Sequence, residues 1–326
     1  MPPRPLTIWT NYQFPPAVET LFRSGIGGHR LIQSSQMQAS NLIASAADPA
    51  MAGADIAFGQ PDPAALIACP NIKWVHLTSA GYDRYDRADL RMAMKSRGGL
   101  ITNSGAVYSG PCAEHVFAMM LALARQLPQS INTQRADRAW PTNDRRIHSY
   151  LLTGQTAVIL TYGTIAKRLI QLLAPFCMKI YVVRREVRGD EAVETISEKE
   201  VETVLPLADH VINILPGGEA TRNFVNAARF SVMKRGAIFY NIGRGGTVDQ
   251  TALLAALESG QVRSAYLDVT DPEPLPPEHP LWKHPECFIT PHTAGGSVDE
   301  FERLARHFVD NLRRYETGET LVNQVI

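Results

Sequence analysis

Short apolar runs alternate with helix-length segments along this chain, and the alternation happens twice. In the first hundred residues LTIWT is followed by AVETLFRSG and ADIAFG by PAALIACP, and IKWVHLTS and GGLITNS come after them. Strands alternating with helices predict a parallel sheet covered on both faces. A long helical pattern, CAEHVFAMMLALARQL, then leads into a polar stretch rich in Arg and Asp that ends at Tyr150. At Thr156 the alternation restarts, with TAVIL, KIYVV, HVINIL, AIFYN, SAYLDV and CFIT as strand candidates. The tail VDEFERLARHFVDNLRRYETG carries apolar residues at helical spacing and stops at Gly318.

A chain of 326 residues can bury two cores. The two patterns meet near Asn103, and Gly295-Gly296 before the tail helix marks a second junction. The expected fold is α/β with two doubly wound parallel-sheet domains. Residues 1–102 and 297–326 form a discontinuous substrate domain, and the dinucleotide-binding domain, 103–296, is inserted between them. A formal net charge of zero gives no electrostatic case for nucleic acid or an anionic membrane. The longest apolar run, Val116 to Ala124, is far short of the roughly 20 residues of a membrane span. The start, MPPRPLTIWTNYQFPP, has no apolar core of signal-peptide length. Four cysteines without CxxC spacing read as reduced thiols of a cytoplasmic protein, and no metal site is expected.

Between TAVIL and the next helix stands an altered nucleotide-binding fingerprint. Where G-x-G-x-x-G is usual, this chain has Thr161, Gly163 and Ala166. The third glycine serves helix–strand packing, where Ala is accepted, and Gly163 stands where a side chain would collide with phosphate. Thr161 is the departure, and a non-glycine there demands an ordinary backbone conformation. The helix amides from Thr164 and Ile165 onward remain available to an anion. Strand KIYVV ends in Arg184-Arg185 with Arg188 close behind, where an NAD-binding sheet carries Asp or Glu. Guanidinium groups bind a 2′-phosphate that a carboxylate would repel, so NADP(H) is the preferred cofactor and NAD(H) the lesser one.

Three later strands each deliver a reactive residue just past the carboxyl end, where open α/β sheets bind ligands. AIFYN is followed by Arg244, SAYLDV by Glu273 and CFIT by His292. Singly, the Glu reads as a solvated loop residue and the His as structural. Arg244 between Gly243 and Gly245 is harder to dismiss, because small neighbours let something approach it closely. Together the three suit hydride transfer between a nicotinamide and a 2-oxo acid. Arg pairs with a carboxylate and polarises the adjacent carbonyl, His exchanges the proton, and a Glu beside it favours the imidazolium.

NIGRGGTVDQ, LDVTDPEPLP and ITPHTAGG resemble the signature segments of the D-isomer-specific 2-hydroxyacid dehydrogenases, which include glyoxylate/hydroxypyruvate reductases. The resemblance runs from LTSAGYDRYD through TNSGAVYSGPCAEH to His292. It implies a flavodoxin-like substrate domain with an inserted Rossmann domain, an active site in the cleft, and a homodimer formed through the cofactor domain. By position, Arg244 would grip the substrate carboxylate and keto oxygen, His292 would be the general acid, and Glu273 its partner. The same resemblance puts backbone amides of Ser79, Ala80 and Gly81 on the substrate carboxylate. Asp268 would lie near the nicotinamide carboxamide, while Leu215, Pro216, Ile242 and Gly295 would line the cofactor. Tyr82, Tyr108 and the partner subunit's Trp282 are candidates for substrate choice. Nothing after Ile326 suggests the regulatory domain of longer phosphoglycerate dehydrogenases.

His115 reads as structural or hinge-related, His76 as a packed strand residue, and His148 receives no role. Two alternatives to a 2-oxo acid reductase remain: a dinucleotide-sensing corepressor-like scaffold of the same fold, and a formate or phosphite dehydrogenase relative.

Overall fold

The computed structural model describes residues 4–38, 46–189 and 191–326. They divide into two compact units, 1–108 with 296–326, and 109–295. The first passage between units falls inside a continuous helix, so it lies a few residues beyond Asn103, where the strand pattern changes.

The first unit holds a five-stranded parallel sheet in the order β2-β1-β3-β4-β5. Its strands are β1 (Thr7–Tyr12), β2 (Arg30–Gln38), β3 (Ile56–Gly59), β4 (Trp74–Leu77) and β5 (Leu100–Thr102). The helices between them are α1 (Pro16–Gly25), α2 (Pro63–Ala68) and α3 (Ala88–Ser96), and α4 (Gly105–Ala124) leaves the unit. Asp62 caps α2 by accepting the Ala65 amide at 2.7 Å, ahead of a proline at its first position. Trp9, Ala57, Val75 and Ile101 fill one face of the sheet. Tail helix α10 (Glu300–Thr317) belongs to this unit and ends at Gly318 with φ 72°, the left-handed turn that favours glycine. Its Phe308 stacks on Trp74 with 5.2 Å between ring centroids and lies 4.6 Å from Phe58, which fixes the tail against the sheet.

The second unit holds seven parallel strands in the order β12-β11-β10-β9-β6-β7-β8. They are β6 (Thr156–Leu160), β7 (Lys179–Arg184), β8 (Glu194–Ser197), β9 (His210–Asn213), β10 (Ala237–Asn241), β11 (Val262–Leu267) and β12 (Cys287–Ile289). Helices α5 (Leu127–Ala136), α6 (Thr142–His148), α7 (Thr164–Leu173), α8 (Ala227–Val232) and α9 (Gln250–Glu258) complete it. The central strands are buried on both faces, as the continuous apolar runs TAVIL and AIFYN require. Val158, Leu160, Val211, Phe239 and Leu267 join Leu253 of α9 in one core. The polar stretch before Tyr150 proves to be α5 and α6. No helix among the described residues is long and apolar enough to cross a membrane.

Candidate active site

β6 delivers the fingerprint. Thr161 follows its last residue with φ 132°, a conformation that side chains other than glycine's rarely adopt. The expectation of an ordinary backbone there is therefore wrong. The turn keeps the glycine geometry and Thr161 bears the strain, which costs on the order of 1–3 kcal/mol at such positions. Gly163 is the N-cap of α7 and is exposed, and a Cβ added to it would meet nothing within 4 Å. Open space in front of the exposed first turn of a ten-residue helix fits an anionic group such as a dinucleotide's diphosphate. Thr164 and Ile165 open that turn.

β7 delivers the arginines, and they differ. Arg184 is only 17 % exposed and pairs with Glu191, whose side chain is 3 % exposed. Arg185 and Arg188 are exposed. β9 is followed by Leu215 and Pro216. The Leu215 amide donates to Asn213 Oδ1 at 3.2 Å, and the Pro216 carbonyl accepts the Thr221 hydroxyl at 2.7 Å.

β10, β11 and β12 are neighbours in the sheet, and each carries one residue of the expected trio just past its end. After β10 comes the buried Ile242, whose amide donates to the Asn213 carbonyl at 3.1 Å, then Gly243 and the half-buried Arg244. The glycines flanking Arg244 admit the protein's own backbone rather than a ligand. A Cβ on Gly243 would lie 2.6 Å from the Leu215 carbonyl oxygen, and one on Gly245 only 1.8 Å from that of Thr270. Close approach was the right reading of these residues, but the approaching group is a neighbouring strand-end loop.

Glu273 lies in the loop after β11 and accepts the Thr270 amide on Oε1 at 3.1 Å. Its Oε2 is 2.8 Å from His292 Nδ1. Burial alone would raise the Glu273 carboxyl. Its bond and charge contact with His292, the Thr270 amide and the nearby Arg244 outweigh that and hold it below the usual range. With Nδ1–H donated to this carboxylate, Nε2 is the ring nitrogen left for a reacting group. Arg244, Glu273 and Thr270 share a cavity of about 350 Å³ with Arg222 and Asp271.

His292 has φ 51°, a left-handed conformation, and Asp268 imposes it. The Asp268 carbonyl accepts the His292 amide at 2.8 Å. Its buried carboxylate accepts the amides of Thr293 at 2.9 Å and Ala294 at 3.0 Å, and the Thr290 hydroxyl at 2.5 Å. Thr290 also bonds the Tyr266 hydroxyl at 2.5 Å, and that hydroxyl contacts His115 Nε2 on α4. Burial pushes the Tyr266 phenol far up, so it stays a neutral donor in this network. Gly295 closes the loop and the unit.

In the other unit, Ser79, Ala80 and Gly81 form a loop after β4. All three carbonyls are used internally. Ser104 N–H donates to Ser79 at 2.9 Å, Asn103 Nδ2 to Ala80 at 2.6 Å, and the Ser79 hydroxyl to Gly81 at 2.6 Å. Gln60 Nε2 in turn donates to the Ser79 hydroxyl at 3.0 Å.

Residues 117–294 match the family model described as D-isomer specific 2-hydroxyacid dehydrogenase, NAD binding domain. The chain belongs to the D-isomer specific 2-hydroxyacid dehydrogenase family. That membership makes it an oxidoreductase that uses a nicotinamide dinucleotide. Among curated relatives it is 34 % identical over 260 residues to glyoxylate/hydroxypyruvate reductase B of Citrobacter koseri, covering 76 % of each chain. Among solved structures it resembles a D-isomer specific 2-hydroxyacid dehydrogenase of Xanthobacter autotrophicus in complex with NADPH and MES. Identity there is 26 %, TM-score 0.78, and coverage 99 % of this chain and 98 % of that one. It also resembles an NADPH-dependent glyoxylate/hydroxypyruvate reductase of Sinorhizobium meliloti in complex with NADP and sulfate, at 25 % identity, TM-score 0.77 and 98 % of each chain.

Three residues in contact with the candidate site residues were not foreseen in the sequence. Tyr266 and Thr290 sit on or beside strands, where they pass for ordinary β-formers. Glu191 lies seven residues past Arg184 in an irregular loop with no periodicity to flag it. Among the described residues no group of three or more His, Cys, Asp or Glu side chains could hold a metal.

Proposed function

We propose that this dehydrogenase reduces a small 2-oxo acid of the glyoxylate or hydroxypyruvate kind to the D-2-hydroxy acid, preferring NADPH to NADH. The observation that carries the reading is the 2.8 Å contact of His292 Nδ1 with Glu273, whose cavity Arg244 shares. The first turn of α7 behind Gly163 would hold the diphosphate, and the arginines after β7 the 2′-phosphate. Leu215, Pro216, Ile242, Asp268 and Gly295 stand at the same strand ends and would line the cofactor. A reduced nicotinamide bound there supplies the hydride.

Arg244 pairs with the substrate carboxylate and draws electron density from the neighbouring carbonyl. His292 gives the proton at Nε2 to the carbonyl oxygen as it becomes a hydroxyl. Glu273 keeps the ring in that orientation. The relatives named above as glyoxylate/hydroxypyruvate reductases support the substrate class, and the NADPH and NADP complexes of the two solved structures support the cofactor.

The protein is proposed to act as a homodimer through its cofactor unit. Leu127 and Ile131 on α5, Trp140, Ile147 on α6 and Leu151 are all exposed, Trp140 by 91 %, and a cavity of about 780 Å³ opens beside Trp140 and Pro141. Sedimentation of a Trp140→Asp, Ile147→Asp variant should show a monomer. The four free cysteines suit a reducing compartment, the cytoplasm.

Fluorescence titration with NADPH and NADH, followed by a 2-oxo acid panel, tests the main reading. Tighter NADPH binding with turnover of glyoxylate or hydroxypyruvate supports it. Binding without turnover of any oxo acid would instead favour the dinucleotide-sensing scaffold.

A further inference from the structure

The loop after β7 is built around a carboxylate, although its sequence, RREVRGDE, is notable for its arginines. Glu191 Oε1 accepts the Arg188 amide at 3.1 Å and the Arg184 guanidinium, and Oε2 accepts the Gly189 amide at 2.8 Å. The next residue is anchored too, since the Ala192 amide donates to the Tyr162 hydroxyl at 3.1 Å. Tyr162 belongs to the fingerprint turn, and its ring centroid lies 5.5 Å from the Arg184 guanidinium. Both ends of the loop are therefore tied down, one through Arg184 and the other through Glu191 and Ala192. The side chains of Arg185 and Arg188 are exposed between those ends and belong to none of these bonds, Arg188 contributing only its backbone amide.

This arrangement divides the arginines by task. Arg184 is committed to Glu191 and Tyr162, and its charge is offset by the buried carboxylate. Among the described residues of the loop, the cations open to solvent are Arg185 and Arg188, which flank the exposed Glu186. Their placement depends on the loop's backbone, which Glu191 holds through two amides and one cation. Building on the NADP(H) reading above, we propose that Glu191 is a positioning residue for 2′-phosphate recognition, shaping the loop so that Arg185 and Arg188 meet the phosphate. An acidic residue thus favours a dianionic group by organising its ligands. Burial alone would raise the Glu191 carboxyl, but the Arg188 amide, the Arg184 guanidinium and the Gly189 amide hold it at about 2, so it stays charged at any working pH.

The test uses fragments, so that binding is read apart from turnover. Calorimetry with 2′,5′-ADP and 5′-AMP is run on the full chain and on Glu191→Gln, which keeps the shape and removes the charge. The wild type should prefer 2′,5′-ADP. The variant should lose about tenfold in 2′,5′-ADP affinity, the scale of one charge-assisted bond, and bind 5′-AMP within about twofold of wild type. Undiminished or tighter 2′,5′-ADP binding by the variant overturns the proposal, because Glu191 would then merely repel phosphate. Equal loss of both ligands overturns it as well, as general damage to the site. A wild type without preference removes the NADP(H) reading and this proposal with it. If Glu191→Gln does not fold, amide exchange in the wild type decides. Slow exchange at Arg188 and Gly189, slowed further by 2′,5′-ADP and not by 5′-AMP, supports the assignment, and fast exchange in the free protein overturns it.

Discussion

Gly245 packs against Thr270 so closely that a Cβ at residue 245 would stand 1.8 Å from the Thr270 carbonyl oxygen. Backbone atoms on both sides leave neither partner room to turn aside. Thr270 also donates its amide to Glu273, so any displacement passes directly to the carboxylate that orients His292. Gly245→Ala should lower kcat by roughly 10–100-fold and stability by about 1–3 kcal/mol, the usual range of overpacking. Gly246→Ala is the control. Its Cβ would meet only the Asp271 carboxylate end, at 3.2 Å, which can swing away. Steady-state rates and melting curves of the pair check this, and equal tolerance of both changes would contradict it.

Glu273→Gln leaves an acceptor for His292 but removes the charge. Reduction should slow by about 10–100-fold, within the range for impaired proton transfer. An unchanged rate would reduce Glu273 to a steric support.

Thr161→Gly should stabilise the protein. Relief of about 1–3 kcal/mol of backbone strain outweighs the roughly 0.5–1 kcal/mol of extra chain entropy that glycine loses. The net gain, about 1 kcal/mol, corresponds to a melting temperature higher by about 2–4 °C for a unit of this size. Calorimetry reads the result directly. A lower melting temperature would mean that the threonine side chain holds the turn.

Acid should unfold both units. Burial holds His76 well below its usual titration range, with His307 adding to the effect, and burial brings His210 to about 4 despite the opposing charge of Asp209. These rings are neutral when folded and take up protons more readily when unfolded. Their stabilising contribution is complete above about pH 6.5 and is lost as pH falls from there towards the folded values. For His210 alone the loss by pH 4 is on the order of 3 kcal/mol. Melting temperatures measured at pH 8, 6 and 5 should fall steeply over the last step, and a flat series would refute the assignment.

The buried strands were legible from the chain because continuous apolar runs such as TAVIL and AIFYN have no other soluble use. The two strands not foreseen, β2 and β8, are both sheet edges. Half-exposed and polar, RLIQSSQMQ and ETIS lack the apolar signal that burial imposes. The trio at the strand ends was legible because strand order and residue type coincide there. The contacts that hold it were not, since Asp268 reaches Thr290, Thr293 and Ala294 more than twenty residues away. Thr161 shows the opposite failure. Its residue type argued for an ordinary turn, and the surrounding fold held it to the glycine shape.

The order of the seven strands has a consequence for how such a protein changes over time. The fingerprint and the arginine loop hang from β6 and β7, the trio from β10 to β12, and β9 stands between the groups. On the proposed function, substitutions that retune the choice of dinucleotide would accumulate on one flank while the proton-handling flank keeps its geometry. A lineage would then exchange one reducing currency for another without passing through an inactive ancestor.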